Sequence, residues 1–191
     1  MADENADATL AAVDLISQAE HDEQASAVLV TWSDDLAAAV RAAVEERVDA
    51  TRNGIRARAA LEGPQSAVVL VDDRAAATAF SNAYAPEHLE LHLEDPRPED
   101  FVNAGAVFVG AHTPVSLGDY LAGSNHVLPT GGQARYASGL SASTFPRPQQ
   151  IIRYDREALR AVEREIVALA DAEALPAHGE AVTARFARTE R

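Results

Sequence analysis

Apolar residues near the start of the chain repeat with the spacing of an amphipathic helix and then of a buried strand. Leu10, Val13 and Ile16 recur every three residues and predict a helix over residues 8–20. An uninterrupted apolar run then predicts a strand over residues 27–30. The chain therefore opens with a helix followed by a strand.

The same alternation continues through the next eighty residues. Ser33 is a suitable N-cap for a second helix, whose apolar stripe runs until Gly63 and Pro64. This stripe consists of Leu36, Val40, Val44 and Val48. Asp72 or Asp73 is expected to cap another short helix. Three more strands are predicted, at residues 67–71, at the alternating Leu89, Leu91 and Leu93, and at residues 106–109. This order predicts an α/β layer with a largely parallel sheet.

Residues 110–150 lack this periodicity and are rich in Gly, Ser, Thr, Pro and Asn. Loops longer than about 12 to 15 residues without secondary structure of their own are usually functional or disordered. This segment contains Asp119, Asn125, His126 and Arg135, so we expect a functional loop. Two helices are predicted after it, one capped by Asp155 and one that starts at Pro176.

Composition restricts the possible chemistry and location. The 191 residues are 47% hydrophobic, which is enough for one domain or slightly more. No apolar run is long enough to cross a bilayer, and the first twenty residues carry acids where a signal peptide has bases, so a cytoplasmic location is expected. Cysteine is absent, so a metal ion would need nitrogen and oxygen ligands.

The charge is strongly negative, with thirty acidic residues against sixteen basic ones, all of them Arg. A net charge of -14 repels phosphate backbones and anionic lipids, so neither nucleic acid nor a membrane is an expected partner. Such self-repulsion is screened at molar salt, where the Debye length is about 3 Å. The composition therefore fits a halophilic protein with a salty cytoplasm, although the codon usage of a high-GC genome explains the missing Lys equally well.

The histidines differ in their surroundings. His92 lies between two glutamates on the polar side of a predicted strand, and His112 opens a loop after a glycine, so both are interpreted as solvated. Gln18 and His21 are three residues apart and share one face of the first helix, where both can offer a lone pair to a metal. A solvated helix face is the alternative for this pair.

Three other places combine acids with imidazoles. Glu87 and His88 are adjacent at the start of a strand, and they could supply a base and an acid near neutral pH or form a surface ion pair. Asp119 and His126 lie in a segment whose glycines permit unusual backbone angles. His178 lies in the first turn of the last predicted helix, five residues after a glutamate.

Five short segments, in this order and approximate spacing, resemble those of the histidinol dehydrogenase family. They are Ser17-Gln18-Ala19-Glu20-His21, Ala85-Pro86-Glu87-His88-Leu89-Glu90-Leu91, Asn103-Ala104-Gly105-Ala106, Thr113-Pro114 through Gly118-Asp119-Tyr120, and Asn125-His126-Val127-Leu128-Pro129-Thr130. The agreement extends over nearly the whole chain. It favours a site role over the surface interpretations for Gln18, Glu87, His88 and Asp119.

The resemblance implies a site for one Zn²⁺. Gln18, His21 and Asp119 of one subunit would be metal ligands, and His178 of the partner subunit would be the fourth. The same four residues are implied to bind the substrate. A homodimer with exchanged C-terminal tails follows from this ligand set.

The resemblance also implies a reaction, the NAD-linked oxidation of L-histidinol through histidinal to L-histidine in histidine biosynthesis. Glu87 would activate water, and His88 would transfer protons and contact the substrate. His126 and Glu173 would be further substrate contacts, with Glu173 reaching across the dimer.

The resemblance covers the C-terminal half of this family only. Residues 1–150 are expected to form an incomplete α/β domain, a partial Rossmann-like parallel sheet with flanking helices that carries most zinc and catalytic residues, and residues 151–191 a helical dimerisation tail. The NAD site would lie largely in the absent N-terminal region, and no G-x-G-x-x-G turn replaces it. An apolar sheet face or edge is expected to be exposed as a result.

Two interpretations follow for the activity of such a chain. It is either one chain of a split dehydrogenase that needs a separate N-terminal-half chain, or a non-catalytic remnant that at most binds zinc or histidinol.

Overall fold

The structure is a computed structural model that describes residues 1–187. The chain divides into two compact units, Met1–Phe145 and a second unit that starts at Pro146. Each unit is described by itself. None of the helices within residues 1–187 combines the length and the apolarity that a membrane span requires.

The first unit alternates helices and four-residue strands. Its helices are α1 (Ala8–Ala19), α2 (Asp34–Arg47), α3 (Gly54–Glu62), α4 (Arg74–Tyr84) and α5 (Val115–Tyr120). Its strands are β1 (Val28–Thr31), β2 (Ala67–Leu70), β3 (His88–Leu91) and β4 (Ala106–Val109). This order confirms the predicted alternation.

The strands form two parallel pairs that the N-terminal residues connect. β1 pairs with β2 and β3 pairs with β4, both in parallel. Between them, the Ala2 N–H donates to the Val30 carbonyl of β1 (3.0 Å), and the Asp3 N–H donates to the His92 carbonyl beyond β3 (3.1 Å). The predicted fold class, a partial parallel sheet with flanking helices, is therefore confirmed.

Helix starts follow from local hydrogen bonding, as the sequence indicated. The Ser33 hydroxyl accepts from the Leu36 N–H and begins α2, and Asp73 accepts from the Ala76 N–H and begins α4. The main apolar cluster lies on the sheet and includes Leu91, which is fully buried. On β2 the apolar side chains remain partly exposed, with Leu70 at 51%.

The long helix predicted after Ser33 is instead broken in the middle. The backbone tightens into a 3-10 turn at Val48–Ala50 and restarts at Gly54. Thr51 and Asn53 both direct side-chain hydrogen bonds to the Glu20 carboxylate at the end of α1. This tertiary contact outweighs the helical pattern, so the prediction of one continuous helix was wrong.

The segment 110–150 is not a plain loop either. It begins with α5, a helix of six residues, and contains two further 3-10 turns at Gln133–Arg135 and Ala142–Thr144. The helix is too short for an apolar stripe to show in the sequence, which is why its pattern was missed.

Within residues 146–187, the second unit has three helices rather than two, α6 (Arg156–Ala161), α7 (Glu163–Ala172) and α8 (Pro176–Thr183). The predicted Asp155 cap and Pro176 start are both present. α6 and α7 are separate because the chain turns at Val162, whose N–H donates to Leu159 three residues back. The Arg160 guanidinium lies 3.9 Å from the centre of the buried Phe186 ring.

Candidate active site

Three of the predicted metal ligands line one small cleft between α1 and α5. Gln18, His21 and Asp119 border a cavity of about 60 Å³. The rest of its lining is Asp14, Ser17, Glu20, Glu90, Pro114, Val115, Ser116 and Tyr120. Residues separated by about a hundred positions in the sequence are therefore brought to one place.

The end of α1 presents Gln18 and His21 together. The helix ends at Ala19, so His21 lies just beyond it and not on it as predicted. Its N–H still donates to the Gln18 carbonyl (3.3 Å), which closes one more turn of chain. The two side chains therefore remain neighbours, with His21 exposed and Gln18 half-buried.

Asp119 reaches the cleft because α5 packs closely on the sheet at Gly118. A Cβ atom at this glycine would lie 2.5 Å from Phe108 Cε1 of β4, closer than side chains tolerate. The glycine thus allows the helix to approach the strand. Asp119, the next residue, is held beside His88, with its Oδ1 3.9 Å from His88 Nε2.

Glu87 and His88 sit where the chain enters β3. Ala85 adopts a left-handed conformation (φ 57°) at the end of α4, and Pro86 then directs the chain into the strand. The His88 ring is mostly buried and lies 5.9 Å from the Phe108 ring. Among residues 1–187, His88 Nε2 is one of two buried side-chain polar atoms without a hydrogen-bond partner.

An unpartnered buried nitrogen is unusual, because such a group normally finds a partner. Here it can accept or donate a proton, or approach a bound ligand.

A larger cavity of about 660 Å³ adjoins this point. It lies between β1 and β3, and Gln18, Glu87 and His88 are part of its lining. Its size is in the range of small-molecule sites. Gln18 borders both the small cleft and this larger cavity, so a ligand in the cavity could contact a metal in the cleft.

The remaining predicted site residues are not placed in either cavity. His126 is exposed on the segment after α5. Glu173 and His178 are exposed in the second unit, at the end of α7 and in the first turn of α8. Their roles remain predictions. His112 is exposed, as expected.

His92 is the residue that sequence reasoning misjudged. Its side chain is only 9% exposed, and its Nε2 lies 3.1 Å from Asp14 Oδ2 and 3.7 Å from Glu90 Oε2. The nearby carboxylate of Asp14, followed by that of Glu90, raises the pKa of His92 to about 9. The prediction of a solvated histidine was wrong because α1, with Asp14, covers this face of the strand.

The signal for this cluster was present in the sequence but ambiguous. Glu90 on β3 and His92 just beyond its end are two residues apart and so share one face, which is the pattern of a solvated face and equally of a polar, buried one. Within the described residues, Asp14, Glu90 and His92 are also the one group of three His and acidic side chains with ligand atoms mutually within 4.8 Å.

Comparison with known proteins agrees with the motif evidence. The family profile described as histidinol dehydrogenase matches residues 1–186. A histidinol dehydrogenase from Leifsonia xyli is 64% identical over 97% of this chain, and one from Mycobacterium tuberculosis is 54% identical over 98%. The crystal structure of histidinol dehydrogenase from Elizabethkingia anophelis superposes with a TM-score of 0.81 over 97% of the chain, at 35% identity.

The chain spans less than half the length of these relatives, 43% of each of the three. The match nevertheless covers almost all of its own residues, including every segment that lines the two cavities. The chain therefore belongs to the histidinol dehydrogenase family.

Proposed function

We propose that this chain is the part of a histidinol dehydrogenase that holds zinc and carries the proton-transfer residues. The complete enzyme would oxidise L-histidinol through histidinal to L-histidine with NAD, as a cytoplasmic step of histidine biosynthesis. The observation that carries the proposal is the shared cleft of Gln18, His21 and Asp119, next to the unpartnered Nε2 of His88.

The donor set of the cleft suits zinc. An amide oxygen, an imidazole and a carboxylate are nitrogen and oxygen ligands of the kind that Zn²⁺ accepts. Gln18, His21 and Asp119 would hold the ion, with His178 of the partner subunit as the fourth ligand. When bound, zinc would supply a Lewis acid that orients the substrate's imidazole and amine.

His88 is proposed as the proton-transfer residue. Its Nε2 has no competing hydrogen bond within residues 1–187, so a neutral imidazole here can accept the proton of the substrate hydroxyl as the carbinol carbon is oxidised. The Phe108 ring packs against the imidazole and limits its movement. The proton acceptor is thus already oriented before the substrate arrives.

Glu87 precedes His88 and lines the larger cavity, so it can act on a water molecule there. Taking one proton from water would let the hydroxide add to the carbonyl carbon of the aldehyde. The resulting hydrate anion is the form that loses hydride in a second oxidation and so becomes the acid.

The nucleotide is assigned to another part of the enzyme. This chain has no G-x-G-x-x-G turn of the kind that receives a pyrophosphate, and it spans 43% of its relatives. We therefore expect the isolated chain to bind zinc and not to reduce NAD. NAD reduction by the chain alone would contradict this division, whereas activity restored by a separate chain carrying the remaining region would support it.

Zinc titration in the presence of histidinol tests the metal site. Native protein should bind one zinc per chain, and Asp119→Ala should lose most of this affinity. Asp72→Ala is the matched control, because Asp72 is exposed and lines neither cavity. Equal zinc binding by native protein and Asp119→Ala would overturn the proposal.

A further inference from the structure

The two helices that carry the proposed zinc ligands are connected through a buried group of charges. Asp14 lies on α1 four residues before Gln18, and therefore on the same helix face. Val115 begins α5 four residues before Asp119. Both anchor positions are thus one turn away from a proposed ligand.

His92 and Glu90 bridge these two positions. His92 Nε2 lies 3.1 Å from the Asp14 carboxylate and 3.7 Å from that of Glu90. The other oxygen of Glu90, Oε1, accepts a hydrogen bond from the Val115 N–H at 2.8 Å. A continuous path of polar contacts therefore runs from α1 through His92 and Glu90 to the first residue of α5.

All three side chains of this path are largely buried, with exposures of 9% for His92, 19% for Asp14 and 17% for Glu90. Burial matters because a charge that loses its partner in such a place is left uncompensated. The arrangement is consequently more constrained than an ion pair on the surface would be.

We propose that His92 is a positioning residue, which with Asp14 and Glu90 fixes α1 relative to the start of α5 and so sets the spacing of Gln18 and His21 from Asp119. The inference rests on the proposed role of those three residues as metal ligands. His92 itself does not line the cleft that they share.

The same three side chains could be considered a metal site, since their ligand atoms are mutually within 4.8 Å. The two carboxylates raise the pKa of His92 to about 9, so a metal ion would have to displace a proton from its imidazole at neutral pH. The contacts with Asp14 and Glu90 therefore favour a protonated imidazole that links the two carboxylates.

Cobalt(II) titration of His92→Gln tests the proposal. Co²⁺ reports both affinity and ligand geometry, the latter through its visible absorption bands. We expect Co²⁺ affinity to fall at least tenfold and the bands to change, since residues that orient metal ligands commonly contribute 10- to 100-fold in affinity. His112→Gln is the matched control, because His112 is exposed, and it should behave like native protein.

A merely structural role gives a different result. If His92→Gln melts at a lower temperature but binds Co²⁺ with native affinity and native bands while folded, the positioning role is refuted. If native protein itself binds no Co²⁺, the proposed function fails. Amide hydrogen exchange then tests the link from Asp14 through His92 and Glu90 to α5. Faster exchange over residues 115–120 in His92→Gln supports this link, and unchanged exchange overturns it.

Asp14→Asn is the second variant, in case His92→Gln does not fold. The ion-pair contacts of His92 with Asp14 and Glu90, and the hydrogen bond from the Val115 N–H to Glu90, link Asp14 to α5. This link therefore predicts faster amide hydrogen exchange over residues 115–120 in Asp14→Asn, and exchange at the native rate in these residues would contradict it.

Discussion

The buried His92 gives the protein a pH dependence that can be calculated and measured. An unfolded histidine has a pKa of about 6.5, whereas the Asp14 and Glu90 carboxylates raise that of folded His92 to about 9. A group whose pKa is higher in the folded protein than in the unfolded protein stabilises the fold at any pH at which it is protonated in both. Its contribution is therefore complete below pH 6.5 and is lost as the pH rises to about 9.

The size of the effect follows from this difference in pKa. A difference of about 2.5 pKa units corresponds to at most about 3.4 kcal/mol, at about 1.36 kcal/mol per unit. Solvent screening of a cluster that is not completely buried reduces this to about 1 to 2 kcal/mol.

A difference measurement isolates the contribution of His92 from those of other titrating groups. Urea unfolding of native protein and of His92→Gln should be compared at pH 6 and at pH 9.5. The advantage of native protein over the variant should shrink by about 1 to 2 kcal/mol between the two. If the difference in free energy of unfolding between native protein and His92→Gln stays constant across this range, the buried ion pairs of His92 are refuted. An NMR titration of His92 with a midpoint near 6.5 would refute them as well.

Three further predictions concern the helix contact, the tail and the surface charge. Gly118→Ala should destabilise the protein by about 1 to 3 kcal/mol and weaken zinc binding, since its methyl group meets the Phe108 ring; an unchanged melting temperature would contradict this. If His178 is shared between subunits, neither Asp119→Ala nor His178→Ala alone should bind zinc tightly, but an equimolar mixture of refolded chains should recover about a quarter of the sites. No recovery would argue against exchanged tails. Raising the salt to 1 M should raise the melting temperature, because it screens a net charge of -14, and a fall would count against self-repulsion as the dominant effect.

Several helix starts were predictable because they depend only on interactions between residues that are neighbours in the sequence. The caps at Ser33 and Asp73 and the start of α8 at Pro176 depend on neighbouring residues, and all are found as expected. The break after α2 was not predictable, since it depends on hydrogen bonds from Thr51 and Asn53 to a side chain thirty residues away.

In the site, too, some residues were predictable from the sequence and one depended on a tertiary contact. The motifs singled out Gln18, His21 and Asp119, and the structure brings them to one cleft. The sequence could not show that a helix covers the polar face of β3. The alternation of apolar and polar residues distinguishes the two faces of a strand but does not show what packs on each. His92 was therefore judged solvated, although Asp14 on α1 contacts it.

The proposed zinc site requires Gln18, His21 and Asp119 to converge on one divalent ion. Anomalous diffraction at the zinc absorption edge, from crystals of this chain grown with zinc and histidinol, would locate that ion. We expect one strong peak about 2.0 to 2.2 Å from ligand atoms of these three side chains. A peak at Asp14, Glu90 and His92 instead, or none in the cleft between α1 and α5, would contradict it.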